Sequence, residues 1–111
     1  MKSLLTISIP TYNRPAYLRK CLDKIAAALK NIKQSDRDLV SILVSDNSED
    51  CFSREVVDCG EFDDLCINYI KNEKNIGSDL NLANCYSIPV SEYVMLVGDD
   101  DFLEEDFFVK V

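Results

Sequence analysis

Leu39-Val40-Ser41-Ile42-Leu43-Val44 runs directly into Ser45-Asp46-Asn47-Ser48, and the fold follows from what flanks that change. The run is mostly apolar and β-branched, which suits a strand, and the residues after it are turn formers that leave a polar segment at its carboxyl end. Upstream, Leu18, Cys21, Leu22, Ile25 and Leu29 recur at three- and four-residue spacing, with Arg19, Lys20, Asp23 and Lys24 between them. That period predicts an amphipathic helix from about Ala16 to Lys30, with Pro15 suited to its first turn. Further upstream, Leu4 to Ile9 is another apolar, β-branched run, stopped by Pro10. Strand, long helix and strand form a βαβ unit, whose two strands are parallel neighbours with both carboxyl ends on one edge.

Downstream, Phe52 to Asp58 reads as a short helix followed by Gly60, and Cys66-Ile67-Asn68-Tyr69-Ile70 as a third strand. The polar loop Lys71-Asn72-Glu73-Lys74-Asn75-Ile76-Gly77 then leads to a helix capped by Ser78 or Asp79 and running through Ser87, with Leu80, Ala83 and Asn84 sharing a face. Pro89 ends it, and Glu92 to Val97 is the fourth strand. The expected class is α/β, one unit over residues 1–111, with a mostly parallel open sheet and helices on both faces.

The fourth strand stops in Gly98-Asp99-Asp100-Asp101. Adjacent carboxylates in partly dry surroundings repel one another unless a cation or hydrogen-bond donors offset the charge, and no Lys or Arg lies between Lys74 and Lys110. A hard divalent ion, Mg²⁺ or Mn²⁺, is one partner for such a group, and it brings a phosphate-bearing substrate with it. The other reading is that the triplet caps a helix over Phe102-Leu103-Glu104-Glu105 or faces solvent.

Composition narrows the field. A net charge of −8 argues against nucleic acid or an anionic membrane gripped by charge alone. The chain has no histidine, which removes imidazole catalysis and histidine metal sites from it. Cys21, Cys51, Cys59, Cys66 and Cys85 form no Cys-x-x-Cys pair and read as small buried side chains of a reducing compartment, with a Cys51–Cys59 bridge left open. No signal-peptide pattern and no run of membrane-spanning length is present, so the expected location is cytoplasmic.

Every strand is followed by a polar segment: Pro10 to Arg14, Asp46 to Ser48, Asn72 to Gly77, and Asp99 to Asp101. In open α/β sheets ligands bind beyond the strand carboxyl ends, so these segments are expected to surround one cavity. There Asp46 can accept from a base ring N–H, Asn47 and Asn13 can pair with base or ribose, and the Asp triplet can bind ribose hydroxyls and a metal. Alternatives stand beside each role. Asp46-Asn47-Ser48 is equally a simple Asx turn, Arg14 either touches phosphate or pairs structurally, and Tyr12 either stacks on a base or packs under its loop. Gly77 and Gly98 read as backbone supports.

Ile7-Ser8-Ile9-Pro10-Thr11-Tyr12-Asn13-Arg14, Val44-Ser45-Asp46-Asn47-Ser48, Asn72-Glu73-Lys74-Asn75-Ile76-Gly77 and Gly98-Asp99-Asp100-Asp101 together resemble the start of a family 2 glycosyltransferase with the nucleotide-sugar-binding fold called GT-A. The Asn-Glu-Lys-Asn-x-Gly pattern, followed by Asn81-Leu82-Ala83-Asn84-Cys85 and the acidic motif, is similar to the abequosyltransferase-like branch. That resemblance implies transfer of a sugar from a nucleoside-diphosphate donor to a glycan or lipid-linked acceptor in bacterial O-antigen or capsule synthesis. It implies that Thr11, Asn13 and Asp46 hold the nucleotide and that the acidic motif holds ribose and metal; taken with the loop readings, the expected nucleotide site is Pro10, Thr11, Tyr12, Asn13, Arg14, Asp46, Asn47, Asn75, Gly77, Asp79, Asp99 and Asp100. It also implies Mn²⁺ or Mg²⁺ held by Asp101 with Asp99. Gly98 departs from the family's Asp-x-Asp-Asp at its first position, which leaves Asp100 beside Asp101 as a metal ligand. The general base is expected beyond Val111, since Glu104, Glu105 and Asp106 stand too close to the motif. The chain is then the donor-binding part of a longer protein working at the inner face of a membrane. Its apolar tail of Phe107, Phe108, Val109 and Val111 would be exposed and prone to self-association. The alternative class is a receiver-like regulatory domain with an acidic Mg²⁺ pocket, although receivers carry acids after their first strand, where this chain has Pro10-Thr11-Tyr12-Asn13.

Overall fold

The computed structural model describes residues 3–101, 103–104 and 107–110. They form β1 (Leu5–Thr11), α1 (Pro15–Leu29), α2 (Gln34–Arg37), β2 (Val40–Asp46), α3 (Phe52–Asp58), β3 (Ile67–Lys71), α4 (Ser78–Ser87), β4 (Tyr93–Leu96) and α5 (Phe107–Lys110). The strands make a parallel sheet in the order β3-β2-β1-β4. Ile7 stands opposite Ile42 on one side and Met95 on the other, and Val44 stands opposite Tyr69.

Strand alternation gives the sheet two unlike faces. Leu5, Ile7 and Ile9 of β1 share a face with Val40, Ile42 and Val44 of β2. The buried stripe of α1, Leu18, Cys21, Leu22, Ile25 and Leu29, joins Ile7, Ile9, Ile42, Val44, Phe62 and Val97 in one core cluster. Each fully buried Leu or Ile is worth about 1.5–3 kcal/mol, so this stripe binds helix to sheet. The opposite face carries Thr6, Ser8, Ser41 and Ser45 beside the buried Leu43, and α4 also seats on it through polar bonds. Ser8 Oγ donates to the Cys85 carbonyl at 2.8 Å, and Ser45 Oγ donates to Asn81 Oδ1 at 2.7 Å. Helices therefore cover both faces, as the sequence predicts.

That polar seat corrects the reading of α4. Its buried residues are Asn81 and Cys85, while Leu80 and Ala83 are exposed and Asn84 is half-buried. A serine-lined sheet face calls for an amide and a small side chain rather than an apolar stripe. Smaller differences follow the ladder: β2 runs on to Asp46, paired with Thr11 and Lys71, and the polar connection before it holds α2. The short helix lies where it was expected, at Phe52–Asp58.

All five cysteines are free thiols, and only Cys21 and Cys85 are buried, whereas Cys51, Cys59 and Cys66 are exposed. Cys51 and Cys59 flank α3. At a rise of about 1.5 Å per residue their Cα atoms stand roughly 12 Å apart, beyond the roughly 4.4–6.8 Å that a disulfide spans. The tail is also less bare than expected. Leu103 and Phe108 pack against the core cluster, and the Phe107 and Phe108 rings meet edge-on with centroids 5.1 Å apart. Phe102, Glu105, Asp106, Val111 and the Val109 side chain lie outside the described residues. No described helix is long and apolar enough to cross a membrane.

Candidate functional site

After β1 the chain must turn at once into α1. Pro15 presets the first helical turn, and Asn13 takes a positive φ of 52°, a conformation that asparagine tolerates better than most residues. Its backbone N–H donates to Ser48 Oγ at 2.7 Å, and Asn47 N–H donates to the Thr11 carbonyl at 2.9 Å. The loops after β1 and β2 are thereby tied together.

The loop after β4 is tied to the same place. Thr11 Oγ1 donates to Asp99 Oδ2 at 2.9 Å, and Arg14 donates to Asp99 Oδ1 at 3.0 Å. The hydrogen bond and the charge of Asp99 push the Arg14 guanidinium above its ordinary pKa. Arg14 also lies 3.7 Å from Asp100 and 4.7 Å over the Tyr17 ring. Asp99 is buried, whereas Asp100 and Asp101 are exposed. The backbone N–H of Gly98 donates to Asp101 Oδ2 at 3.3 Å. A Cβ on Gly98 would stand 3.0 Å from Asp101 Oδ2 and 3.1 Å from Asp100 Oδ1, so the missing side chain lets both carboxylates fold close. Beneath them Cys21 approaches the Gly98 and Asp101 carbonyls. Burial, helped by the charges of Asp99, Asp101 and Asp100, pushes its thiol up to about 12.

The loop after β3 is held by amides. Asn47 Oδ1 accepts from Asn72 Nδ2 and from the Ile76 N–H, each at 3.0 Å. Asn75 Oδ1 accepts from Asn47 Nδ2 at 2.7 Å and from the Gly77 N–H at 2.8 Å. Gly77 opens α4 with φ 87° and ψ 156°, a region that is essentially glycine's alone.

Between these loops lies a cavity of about 580 Å³ lined by Pro10, Thr11, Tyr12, Arg14, Asn47, Asn75, Gly77, Ser78, Asn81, Leu82 and Asp99. All four strand-end segments contribute. The cavity sits where β1 and β4 diverge, the crossovers between β1 and β3 lying on one face and the one to β4 on the other. That is the switch point at which open α/β sheets take ligands. Expected residues outside its lining are Asn13, Asp46, Asp79, Asp100 and Asp101. Asp79 is exposed on the first turn of α4. Asp46 is fully buried: its Oδ1 accepts from the Ser48 N–H at 2.9 Å and its Oδ2 from the Tyr69 hydroxyl. The Asx-turn reading therefore describes its contacts here. Ser78, Asn81 and Leu82 were missed. The Ser8 and Ser45 pattern, which demands a polar partner, was the signal for Asn81.

Among the described residues no group of three or more His, Cys, Asp or Glu side chains is arranged to hold a metal by itself. Exposed Asp100 and Asp101, next to Asp99, nevertheless offer oxygen donors only. They suit an ion such as Mg²⁺ that takes one or two protein carboxylates and completes its shell with phosphate and water.

A parallel sheet with a cavity at its switch point defines the class, an open α/β domain. Within that class the chain belongs to glycosyl transferase family 2, whose family model matches residues 6–111. Abequosyltransferase RfbV of Salmonella typhimurium is 32% identical over 104 residues, covering 93% of this chain and 30% of that protein. The S. aureus TarS 1-349 structure in complex with UDP superposes with a TM-score of 0.74 at 22% identity, over 99% of this chain and 30% of that one. The mannosyltransferase PcManGT from Pyrobaculum calidifontis, in complex with GDP-Man and Mn²⁺, gives a TM-score of 0.68 at 21% identity, over 90% and 28%. This chain thus spans just under a third of each of those matched chains. Membership of the family, with the acids after β4 rather than β1, replaces the receiver-like alternative.

Proposed function

We propose that the chain is the donor-binding part of a glycosyltransferase that moves a sugar from a nucleoside diphosphate to a hydroxyl of a glycan or lipid-linked acceptor in bacterial surface polysaccharide synthesis. The observation that carries this reading is the cavity of about 580 Å³ at the carboxyl edge, to which every strand-end loop contributes. Its size and mixed lining suit a nucleotide: Tyr12, Pro10 and Leu82 offer apolar contact, while Asn47, Asn75 and Arg14 offer donors. The solved relatives in complex with UDP and with GDP-Man and Mn²⁺ support it.

In this reading Arg14 and the donors around Asn75 face the diphosphate end or the base, and Thr11 holds Asp99 in place for the ribose hydroxyls. Asp101, with Asp99 or Asp100, would hold Mn²⁺ or Mg²⁺. When bound, that ion supplies Lewis-acid stabilisation of the leaving diphosphate. Asp99 is already engaged by Thr11 and Arg14, so it is preorganised rather than free to swing. This reading covers donor binding and assigns no residue here as general base.

A thermal-shift screen with uridine, cytidine, guanosine and thymidine diphosphates, with and without Mn²⁺, tests the reading, because a ligand selective for the folded state raises the midpoint. A nucleotide-dependent rise that Mn²⁺ enlarges, and that Asp101→Asn reduces, is expected. A midpoint unmoved by every nucleotide would remove the proposal.

A further inference from the structure

Arg14 is bound to the acidic motif and at the same time lines the cavity. Its guanidinium donates to Asp99 Oδ1 at 3.0 Å and lies 3.7 Å from Asp100, while Thr11 holds the other Asp99 oxygen at 2.9 Å. Asp100 and Asp101 crowd the same turn so closely that a Cβ on Gly98 would meet both carboxylates. Three negative charges thus share one turn. The guanidinium, bonded to one of them and close to a second, offsets part of their mutual repulsion.

Among the described residues that line the cavity, Arg14 is the one cation, and its bonded partner Asp99 is the one acid. While that pair is closed, the lining presents no net charge to an anion. A divalent cation at the motif and a diphosphate in the cavity therefore bear on one guanidinium with opposite sign, the first repelled by it and the second attracted. The Arg14 side chain is 45% exposed, so it can turn between partners without unpacking the core, and Thr11 still anchors Asp99 when it does.

We propose that Arg14 is a shared counter-ion that couples metal to donor: its charge holds down the affinity of the acidic motif for a divalent ion, and a diphosphate, by drawing the guanidinium to itself, lifts that restraint. By linkage the coupling runs both ways, and Arg14 pairs with a diphosphate more readily once the motif is neutralised. The inference rests on the donor and metal reading above and deepens it.

Titration of this chain with Mn²⁺ in the absence of nucleotide, with free Mn²⁺ followed by its EPR signal at fixed ionic strength, tests the first half. Arg14→Gln removes the charge and should tighten Mn²⁺ binding about three- to tenfold, the scale for a unit charge several ångströms from a divalent ion in a solvated site. Arg14→Lys keeps the charge and should stay near the wild-type value. Lys30→Gln removes an equal charge at the other end of α1, roughly 24 Å away along the helix axis, and should leave Mn²⁺ binding unchanged because screening covers that distance. Titration with UDP at saturating Mn²⁺ tests the second half: Arg14→Gln should weaken UDP binding about threefold or more, opposite in sign to its effect on Mn²⁺. Mn²⁺ binding no tighter in Arg14→Gln than in the wild type, or tightened as much in Arg14→Lys or Lys30→Gln, would overturn the counter-ion role. UDP binding unchanged in Arg14→Gln would overturn the coupling to the donor. Mn²⁺ binding by none of the chains would remove the metal reading and this inference with it, whereas UDP binding by none would remove the nucleotide reading.

Discussion

Thr11 and Asp99 meet at the carboxyl ends of neighbouring strands, and their 2.9 Å bond joins two loops across the switch point. Asp99 is buried, so removing its donor leaves a desolvated carboxylate with fewer partners. Thr11→Val keeps the shape and deletes the hydroxyl. It should cost about 1–3 kcal/mol in urea unfolding, and Thr11→Ser should recover most of that. An unchanged stability in Thr11→Val would mean the bond contributes nothing. The buried thiols give a second prediction. Burial raises Cys21 to about 12 and Cys85 to about 11. Below the unfolded value, about 8.5, both states hold these protons. Above it the unfolded chain loses them first, so stability falls as pH rises from about 9 to 11. Replacing Cys21 and Cys85 by Ala should flatten that slope even as it lowers stability throughout.

At the scale of elements, α1 and α4 are held by opposite chemistry. Leu22 of α1 is fully buried in the core cluster, and Leu22→Ala should lower unfolding stability by about 2–5 kcal/mol. Gly77 at the start of α4 has nothing within 4 Å of where a Cβ would stand. Gly77→Ala meets no clash, and its cost is purely the backbone conformation, about 1–3 kcal/mol. A larger loss would show that the loop after β3 has moved. The same contrast explains what was legible in the sequence. β1, α1 and β2 were readable because Ile7, Ile9, Leu18, Leu22, Ile42 and Val44 announce their period directly. The face of α4 was not, because its seat is set by Ser8 and Ser45 on distant strands. The partner of Asp46 was hidden for the same reason: Tyr69, which bonds to one of its oxygens, arrives from β3. Strand-end loops could be named from sequence, but which of their side chains spend their hydrogen bonds on one another could not.

For the whole molecule, the parallel order β3-β2-β1-β4 brings loops from across the sequence to one edge, and the central claim is that this edge is a nucleotide site. Another hollow, of about 240 Å³, lies elsewhere and is lined by Lys30, Arg37, Asp64 and Leu65 among others, so the fold offers an internal control. The most direct measurement is to map backbone amide shifts by NMR while titrating UDP with Mg²⁺. Perturbations concentrated at Thr11, Asn47, Asn75, Gly77 and Asp99 are predicted, with Lys30, Arg37 and Leu65 unmoved. Perturbations centred on the second hollow, or none at either, would contradict the account.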